Sequence, residues 1–417
     1  MTTGGGGGAG WGRSGPPPEP YRGPPPTGRY GAPPRVPVGV PAPPPYGSPW
    51  AGPAPFPSPT PGPGPGKRSR PVTPPGAPPY DTPQPYALLM RARDWAWWRP
   101  LLGLLLFAVL YGVAALVLVI VVLVTGVVPD LAMLDLTDVA VLLVTNLSLI
   151  VAIPIVWVCW LVPHGLPIGW SSSVLGRLRW RLVLPWTWRA LATLGVAVVA
   201  SLLIAVAATG VDVTGPGASF PWMLLVVLTT TPLQAAAEEY LFRGYLSQTI
   251  AAWIGRPRAG AVVAAVVSAA LFSAAHGPPD FQTFLYRFAI GLALSAAVWL
   301  TGGLEASIAL HAVNNVVIFL LAGALGDRAA AAEPGGVVGW GTSLLGMVGM
   351  AAFVAWVAAA RSRVRPELLS PAVDLRPGGP FGNPAAGAAP PFPSSAPFPS
   401  SAPPASGWPP GPGNAWV

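Results

Sequence analysis

Charge is the first thing this chain lacks. Only 9% of its 417 residues are Asp, Glu, Lys or Arg, against about 25% in an ordinary soluble domain, which excludes a soluble enzyme with a solvated surface. Cysteine is nearly absent. Cys159 stands alone inside an apolar segment, so neither a disulfide framework nor a cysteine-based metal site is available. Histidine occurs three times and acid 15 times, which leaves few candidates for acid–base chemistry. No apolar run precedes the one near Leu101, so no secretory signal peptide is expected. That run is long enough to span a bilayer and is expected to stay in it. The net charge of +8 comes from arginines beside apolar segments, a mark of membrane topology, and no nucleic-acid partner is expected.

What the chain has in excess is apolar residue, 52% of the total, together with 57 prolines and 50 glycines. The prolines divide unevenly: 29 precede Tyr86, 15 lie from Pro366 onward and 13 fall between. Residues 1–90 therefore read as a disordered Pro/Gly-rich tail with local polyproline II character, and residues 366–417 as a second disordered, Pro/Ser-rich tail. The hexapeptide PFPSSA at 391–396 recurs at 397–402. Tyr21, Tyr30, Tyr46, Tyr80 and Tyr86 stand near prolines and Lys67, Arg68 and Arg70 form a small basic cluster. Composition accounts for the tyrosines, and binders of the proline-rich tails are the partner that they would otherwise suggest.

Between the tails, 91–365 forms a membrane domain. Apolar segments lie at about 101–128, 138–162, 190–210, 221–252, 259–276, 281–301, 304–324 and 338–360. A bilayer core takes about 20 helical residues, and these runs lack the alternation of barrel strands. The fold class is thus all-α integral membrane, with about eight transmembrane helices in a lipid bilayer. Arg91, Arg93, Trp95, Trp97, Trp98 and Arg99 form an interfacial belt ahead of the first. Charge tests the count. The 163–189 loop carries Arg177, Arg179, Arg181 and Arg189, the fourth turn Arg256 and Arg258, and the last exit Arg361, Arg363 and Arg365. The alternate loops carry Asp130, Asp135, Asp138, Asp212 and Asp280, with Arg287 and Arg328 as their few bases. Eight spans put every basic loop and both tails on one face, which the positive-inside rule makes cytoplasmic.

Only two acids lie well inside an apolar run: Glu238 and Glu239, in TPLQAAAEEYLFRGYL. A charge at mid-membrane costs about 2.5–3.5 kcal/mol on insertion scales. Arg243 is one turn after Glu239 and shares its face. Glu238 is turned ~100° away and has no local counter-charge. Glu239 thus reads as structural and Glu238 as available for chemistry, the alternative being a polar clamp made by both. His276 ends the fifth segment, four residues after Phe272, and His311 lies in the seventh, four before Asn315; His164 sits apart in a basic loop. Packing histidines are the alternative there. Glu238 is 18 residues before Arg256 and His276 is 20 after it, which places both ~27–30 Å from that turn. His311 is only ~12 Å past the turn near Gly303. All three meet only if the fourth–fifth hairpin projects ~15 Å further than its neighbour. A glutamate that activates water, a histidine that shares the proton, and a His–Asn pair that donates to an oxyanion would suit amide hydrolysis. HExxH is absent, yet Glu and His can bind zinc.

EEYLFR (238–243), FSAAH (272–276) and HAVNN (311–315) resemble, in order, the EExxxR, FxxxH and HxxxN motifs of the CAAX-protease and bacteriocin-processing family. That family is also called Abi and includes the CAAX prenyl endopeptidases. The resemblance covers about 220–325. It implies an eight-helix intramembrane endopeptidase with a cavity open to the cytoplasm. By position, Glu238 resembles the base that activates water with His276 assisting, His311 and Asn315 the oxyanion donors, and Glu239 and Arg243 the supporting pair. The family carries a metalloprotease label, but no cofactor is expected here; zinc on Glu238, His276 and His311 is the alternative. The implied substrate is a membrane-associated or lipidated protein or peptide. The Ala/Gly/Pro-rich composition points to a bacterial cytoplasmic membrane. Competing classes are a non-proteolytic scaffold or bacteriocin-immunity protein that recruits partners through its tails, and a transporter, which would call for an inverted repeat of broken helices that the sequence does not display. A reporter fused after Val417 is expected to read as cytoplasmic. An exported reading would overturn the topology.

Overall fold

A long apolar run in hydrocarbon satisfies its own backbone only as a helix. The structure is a computed structural model that describes residues 77–128, 136, 138–326 and 334–373. Among the described residues, eight helices are long and apolar enough to cross a membrane: α1 Arg99–Thr125, α2 Val139–Leu161, α3 Trp180–Thr209, α4 Phe220–Ile254, α5 Pro257–Ala275, α6 Phe281–Thr301, α7 Glu305–Leu325 and α8 Gly336–Val364. Strand-type pairing among them is limited to two isolated bridges, Pro85 with Leu369 and Ser173 with Gly303. The expected all-α, multi-pass membrane fold is the observed one. The described residues belong to a single compact unit, Ser69–Val417.

Local chemistry sets the helix ends. Asp138 caps α2 by accepting from the backbone N–H groups of Ala140 and Val141, both at 2.9 Å, and Asp280 caps α6 through Thr283 N–H at 2.8 Å. Gly126, Gly210, Gly255 and Gly302 close α1, α3, α4 and α6 in the left-handed conformation, which glycine adopts without steric penalty. α3 starts at Trp180, ten residues before the expected 190, so Arg181 and Arg189 sit on a helix and not in a loop. Its first turns are amphipathic. The Arg189 guanidinium lies 4.9 Å from the Trp188 ring, 5.4 Å from Trp186 and 5.6 Å from Trp356, an arrangement that anchors a cation among apolar groups at an interface.

α4 is the axis of the bundle. On one side lies a core built on Leu182, Trp186, Leu294, Leu310 and Phe353; on the other, a core built on Met90, Trp160, Trp170, Tyr245 and Leu304. Residues Phe242–Leu246 wind as a π-turn within α4. Its Phe242 carbonyl accepts from the hydroxyls of Ser247 (2.8 Å) and Ser268 (3.1 Å). The buried Asn146 of α2 donates to Thr230 (2.7 Å) and Thr231 (3.1 Å) of α4, joining two apolar helices by the polar contacts that membrane packing favours.

The tail boundaries move. Residues 77–90 and 366–373, expected in disordered tails, pack on the membrane domain. Tyr80, Tyr86, Leu88, Leu89 and Met90 are buried, as are Ser370 and Val373. The Tyr80 hydroxyl donates to Leu89 O (2.7 Å) and that of Tyr86 to Ser171 O. The two segments pair with each other, Ser370 N–H to Gln84 O at 2.9 Å and Val373 N–H to Tyr80 O at 3.0 Å. Their aromatic and aliphatic side chains supply burial that the proline count conceals. The rest of the tail readings, the loop charges Asp130, Asp135 and Arg328, the basic cluster Lys67, Arg68 and Arg70, Tyr21, Tyr30 and Tyr46, and the PFPSSA repeat lie outside the described residues.

One ion pair clasps this end of the bundle. Arg179, before α3, donates its Nε (2.9 Å) and Nη2 (2.7 Å) to the carboxylate of Glu305, Nη2 also to Thr301 O (2.9 Å), and Nη1 to Glu367 O (2.8 Å). Both partners of the Arg179–Glu305 pair are buried. Removing one member of such a pair strands the other charge and costs about 3–5 kcal/mol. Arg179→Met is therefore expected to lower the melting temperature in detergent sharply. Arg181→Met, which breaks an exposed pair with Glu367, is expected to change it little, since exposed pairs contribute about 0–1 kcal/mol. Equal shifts would deny the clasp its role.

Candidate active site

Glu238 and Glu239 are consecutive, so their side chains leave α4 on different faces, and the two faces have different fates. Glu239 is 0% exposed and Glu238 8%. Glu239 Oε1 accepts from Arg243 Nη1 at 2.9 Å and from His311 Nδ1 at 2.9 Å. Arg243 Nη2 donates to Gly291 O at 3.0 Å, and its guanidinium lies 4.8 Å from the Phe272 ring. That contact depends on glycine: a Cβ at position 291 would stand 2.7 Å from Ala269 Cβ, so α6 would retreat and take its carbonyl from Arg243. The Glu239–Arg243 pair that the i,i+4 spacing suggested is present.

Glu238 faces a cavity of about 400 Å³. Its Oε1 accepts from Gln234 Nε2 one turn earlier, while its buried Oε2 has no hydrogen-bond partner. Oε2 is 3.7 Å from Nε2 of His276 and 3.7 Å from Nε2 of His311. The other nitrogen of each ring decides the tautomer. His276 Nδ1 is 2.7 Å from the Phe272 carbonyl, which only accepts, so Nδ1 carries the proton. His311 Nδ1 likewise donates to Glu239. In the neutral rings both Nε2 atoms are lone pairs. Glu238 Oε2 thus faces two further acceptors, each at 3.7 Å, with no proton between. A water between them, or a proton on one ring, resolves that arrangement. His311 is buried, whereas the side chain of His276 is 33% exposed, so the two differ in access to solvent.

The three expected motifs therefore converge, and the offset of the α4–α5 hairpin that this demanded is realised. Phe272 is a seat for the site: its ring centroid lies 4.6 Å from His276 and 5.5 Å from His311. Asn315 also lines the cavity. It donates to Gln234 Oε1 (3.1 Å) and accepts from Asn314 Nδ2 (3.0 Å). The amides form a chain, Asn314 to Asn315 to Gln234 to Glu238. Gln234, Asn314 and Asn146 were not singled out from the sequence; the signal for Gln234 was its place one turn before Glu238, and for Asn146 an amide inside an apolar run. His164, set apart in the sequence, is elsewhere. Burial and the nearby Arg99 pull its pKa down to about 4, and its Nε2 lies 3.1 Å from the Tyr245 hydroxyl.

The cavity lies toward one end of the bundle. Its lining includes Leu136, His276, Thr283 and Phe319, all toward the end of the bundle that carries the α5–α6 turn. Arg256 and Arg258 sit at the opposite end of α5. The cavity thus runs from mid-bundle away from the arginine-rich face, because α5 ends at Ala275 and the chain turns through Gly277. Zinc was the alternative cofactor. By type, Glu238, His276 and His311 suit it, and each Nδ1 has the carbonyl or carboxylate partner common behind metal ligands. Around a tetrahedral zinc, however, such donors stand about 3.3 Å apart. Among the described residues no group of three or more His, Cys, Asp or Glu is set to hold an ion.

Residues 218–317 match a family model described as Rce1-like, type II CAAX prenyl endopeptidase. This stretch of the chain is similar to the Rce1-like family. The match contains Glu238, Glu239, Arg243, His276, His311 and Asn315 and leaves out α1, α2, α3 and α8, as the motif resemblance did. No curated protein and no solved structure matches the chain. Within the Rce1-like stretch the two glutamates are expected to respond differently to amidation. Glu239→Gln strands Arg243, a cost of about 3–5 kcal/mol, and should lower the melting temperature in detergent. Glu238→Gln removes a carboxylate with no paired cation and should leave that temperature near wild type. A reversal of this order would assign the structural role to Glu238.

Proposed function

We propose that this chain is an intramembrane endopeptidase that hydrolyses a peptide bond of a membrane-associated or lipidated protein or peptide with a water activated by Glu238. The observation that carries this reading is the unpartnered Oε2 of Glu238, which faces the cavity with two histidine Nε2 atoms at 3.7 Å. A water within hydrogen-bond reach of all three is oriented for attack. Its oxygen bonds to the scissile carbonyl carbon as its proton passes to Glu238, with His276 sharing that proton. As the C–N bond breaks, the proton goes to the amine that leaves. The charge on the carbonyl oxygen needs donors. Asn315 lines the cavity with an amide N–H beyond the one bound to Gln234. His311 donates from Nε2 when protonated, and Glu239 on its Nδ1 stabilises that cation.

Both tails are assigned to the cytoplasmic face by the positive-inside rule, in a bacterial cytoplasmic membrane. The cavity then faces the other leaflet. Substrate would reach Glu238 from within the bilayer or from the far side.

The deciding experiment compares membrane-protein fragments in cells that carry wild type or Glu238→Gln. Loss of the base should lower cleavage by at least about 10²–10⁴-fold with expression unchanged. Cleavage by purified protein should survive exhaustive chelation. Identical fragment patterns would favour the scaffold reading instead. Activity lost to chelator and restored by stoichiometric zinc would transfer the three residues to a metal mechanism.

A further inference from the structure

A second cavity, of about 450 Å³, lies on the arginine-rich side of α4. Arg243 lines it, so it shares a wall with the Glu239–His311 network without reaching Glu238. Its charged lining residues are Arg243, Arg258 and Arg361, and no carboxylate is among them. Arg258 and Arg361 are exposed at the ends of α5 and α8. The space exists because α5 presents Ala261, Ala264 and Ala265 to it.

Two of the lining residues carry unpaired polar atoms. Gln248 is 0% exposed and Arg243 1%, yet Gln248 Oε1 and Arg243 Nε have no hydrogen-bond partner. Buried polar atoms of this kind are usually satisfied, and an orphan points to something bound. One acceptor and one donor together match a hydroxyl, or a phosphate oxygen beside a hydroxyl. The lining also includes Trp299, Leu368 and Leu369, all large apolar side chains with substantial exposure. Arginines and tryptophan at the end of a bundle mark the headgroup level of a membrane.

We propose that this cavity binds an anionic glycerophospholipid whose headgroup carries hydroxyls. Arg258 and Arg361 hold the phosphate, the headgroup reaches Gln248 and Arg243, and the acyl chain leaves over Trp299, Leu368 and Leu369. A headgroup alone would leave that apolar exit bare. A neutral lipid would leave the cations without a counter-charge. This site lies on the other side of α4 from Glu238, with Arg243 as the wall the two share.

The test uses the full chain, delipidated in detergent, with thermal shift and native mass spectrometry as readouts. The probes are phosphatidylglycerol, phosphatidylcholine with the same chains, and inorganic phosphate. Phosphatidylglycerol should raise the melting temperature and stay bound, and the other two should do neither. Arg258→Gln with Arg361→Gln should weaken phosphatidylglycerol binding at least ten-fold. Ala261→Leu with Ala265→Leu should do the same by filling the space, without removing a charge. Equal response to phosphatidylcholine, a full response to phosphate alone, or undiminished phosphatidylglycerol binding in either double variant would overturn the proposal.

Discussion

A carboxylate and a guanidinium sealed from water on one helix, Glu239 and Arg243, set the terms for everything around them. Isolated burial of either charge would cost several kcal/mol, so the surroundings are built to satisfy both. His311 donates to the carboxylate from α7, Gly291 offers its carbonyl from α6, and Phe272 places its ring beside the guanidinium from α5. Four helices are therefore referenced to one ion pair. The same contacts fix the tautomer and direction of His311, and so the direction of its Nε2 toward Glu238. Rigidity at Glu239 is what lets its neighbour remain uncommitted.

Much of this was legible in the sequence because it is local or periodic. Apolar run lengths gave eight helices, and the i,i+4 relation of Glu239 and Arg243 gave the pair. Ordered motifs gave the convergence of His276 and His311 on Glu238. What stayed hidden is non-local. Arg179 read only as one of several loop arginines, since nothing in its neighbourhood shows that Glu305, 126 residues away in the chain, lies 2.7 Å from it. The docking of Tyr80 and Tyr86 was masked by the prolines around them: composition averages over a stretch, while burial is decided by a few large side chains. Gln234 escaped because an amide in an apolar helix has no charge to draw attention to it.

The direction of the cavity joins two expectations that had seemed compatible. If the arginine-rich face is cytoplasmic, a cavity that lies toward the opposite face is set away from the cytoplasm. The tension is physical. Charge bias is set by translocation of the loops, whereas cavity placement is set by where α5 stops and how far the α4–α5 hairpin extends. The first can be read from composition; the second requires the packed bundle.

The backbone pairing of Tyr80 with Val373 and of Gln84 with Ser370 brings the two ends of the described fold to one place. The long sequences beyond them, rich in proline on both sides, are therefore tethered at neighbouring points and not on opposite flanks of the bundle. For any partner with two recognition modules, engagement of one of these sequences would bring the attachment point of the other close to the second module. Avidity would then depend on the clasp that docks these segments, although neither segment need touch the partner.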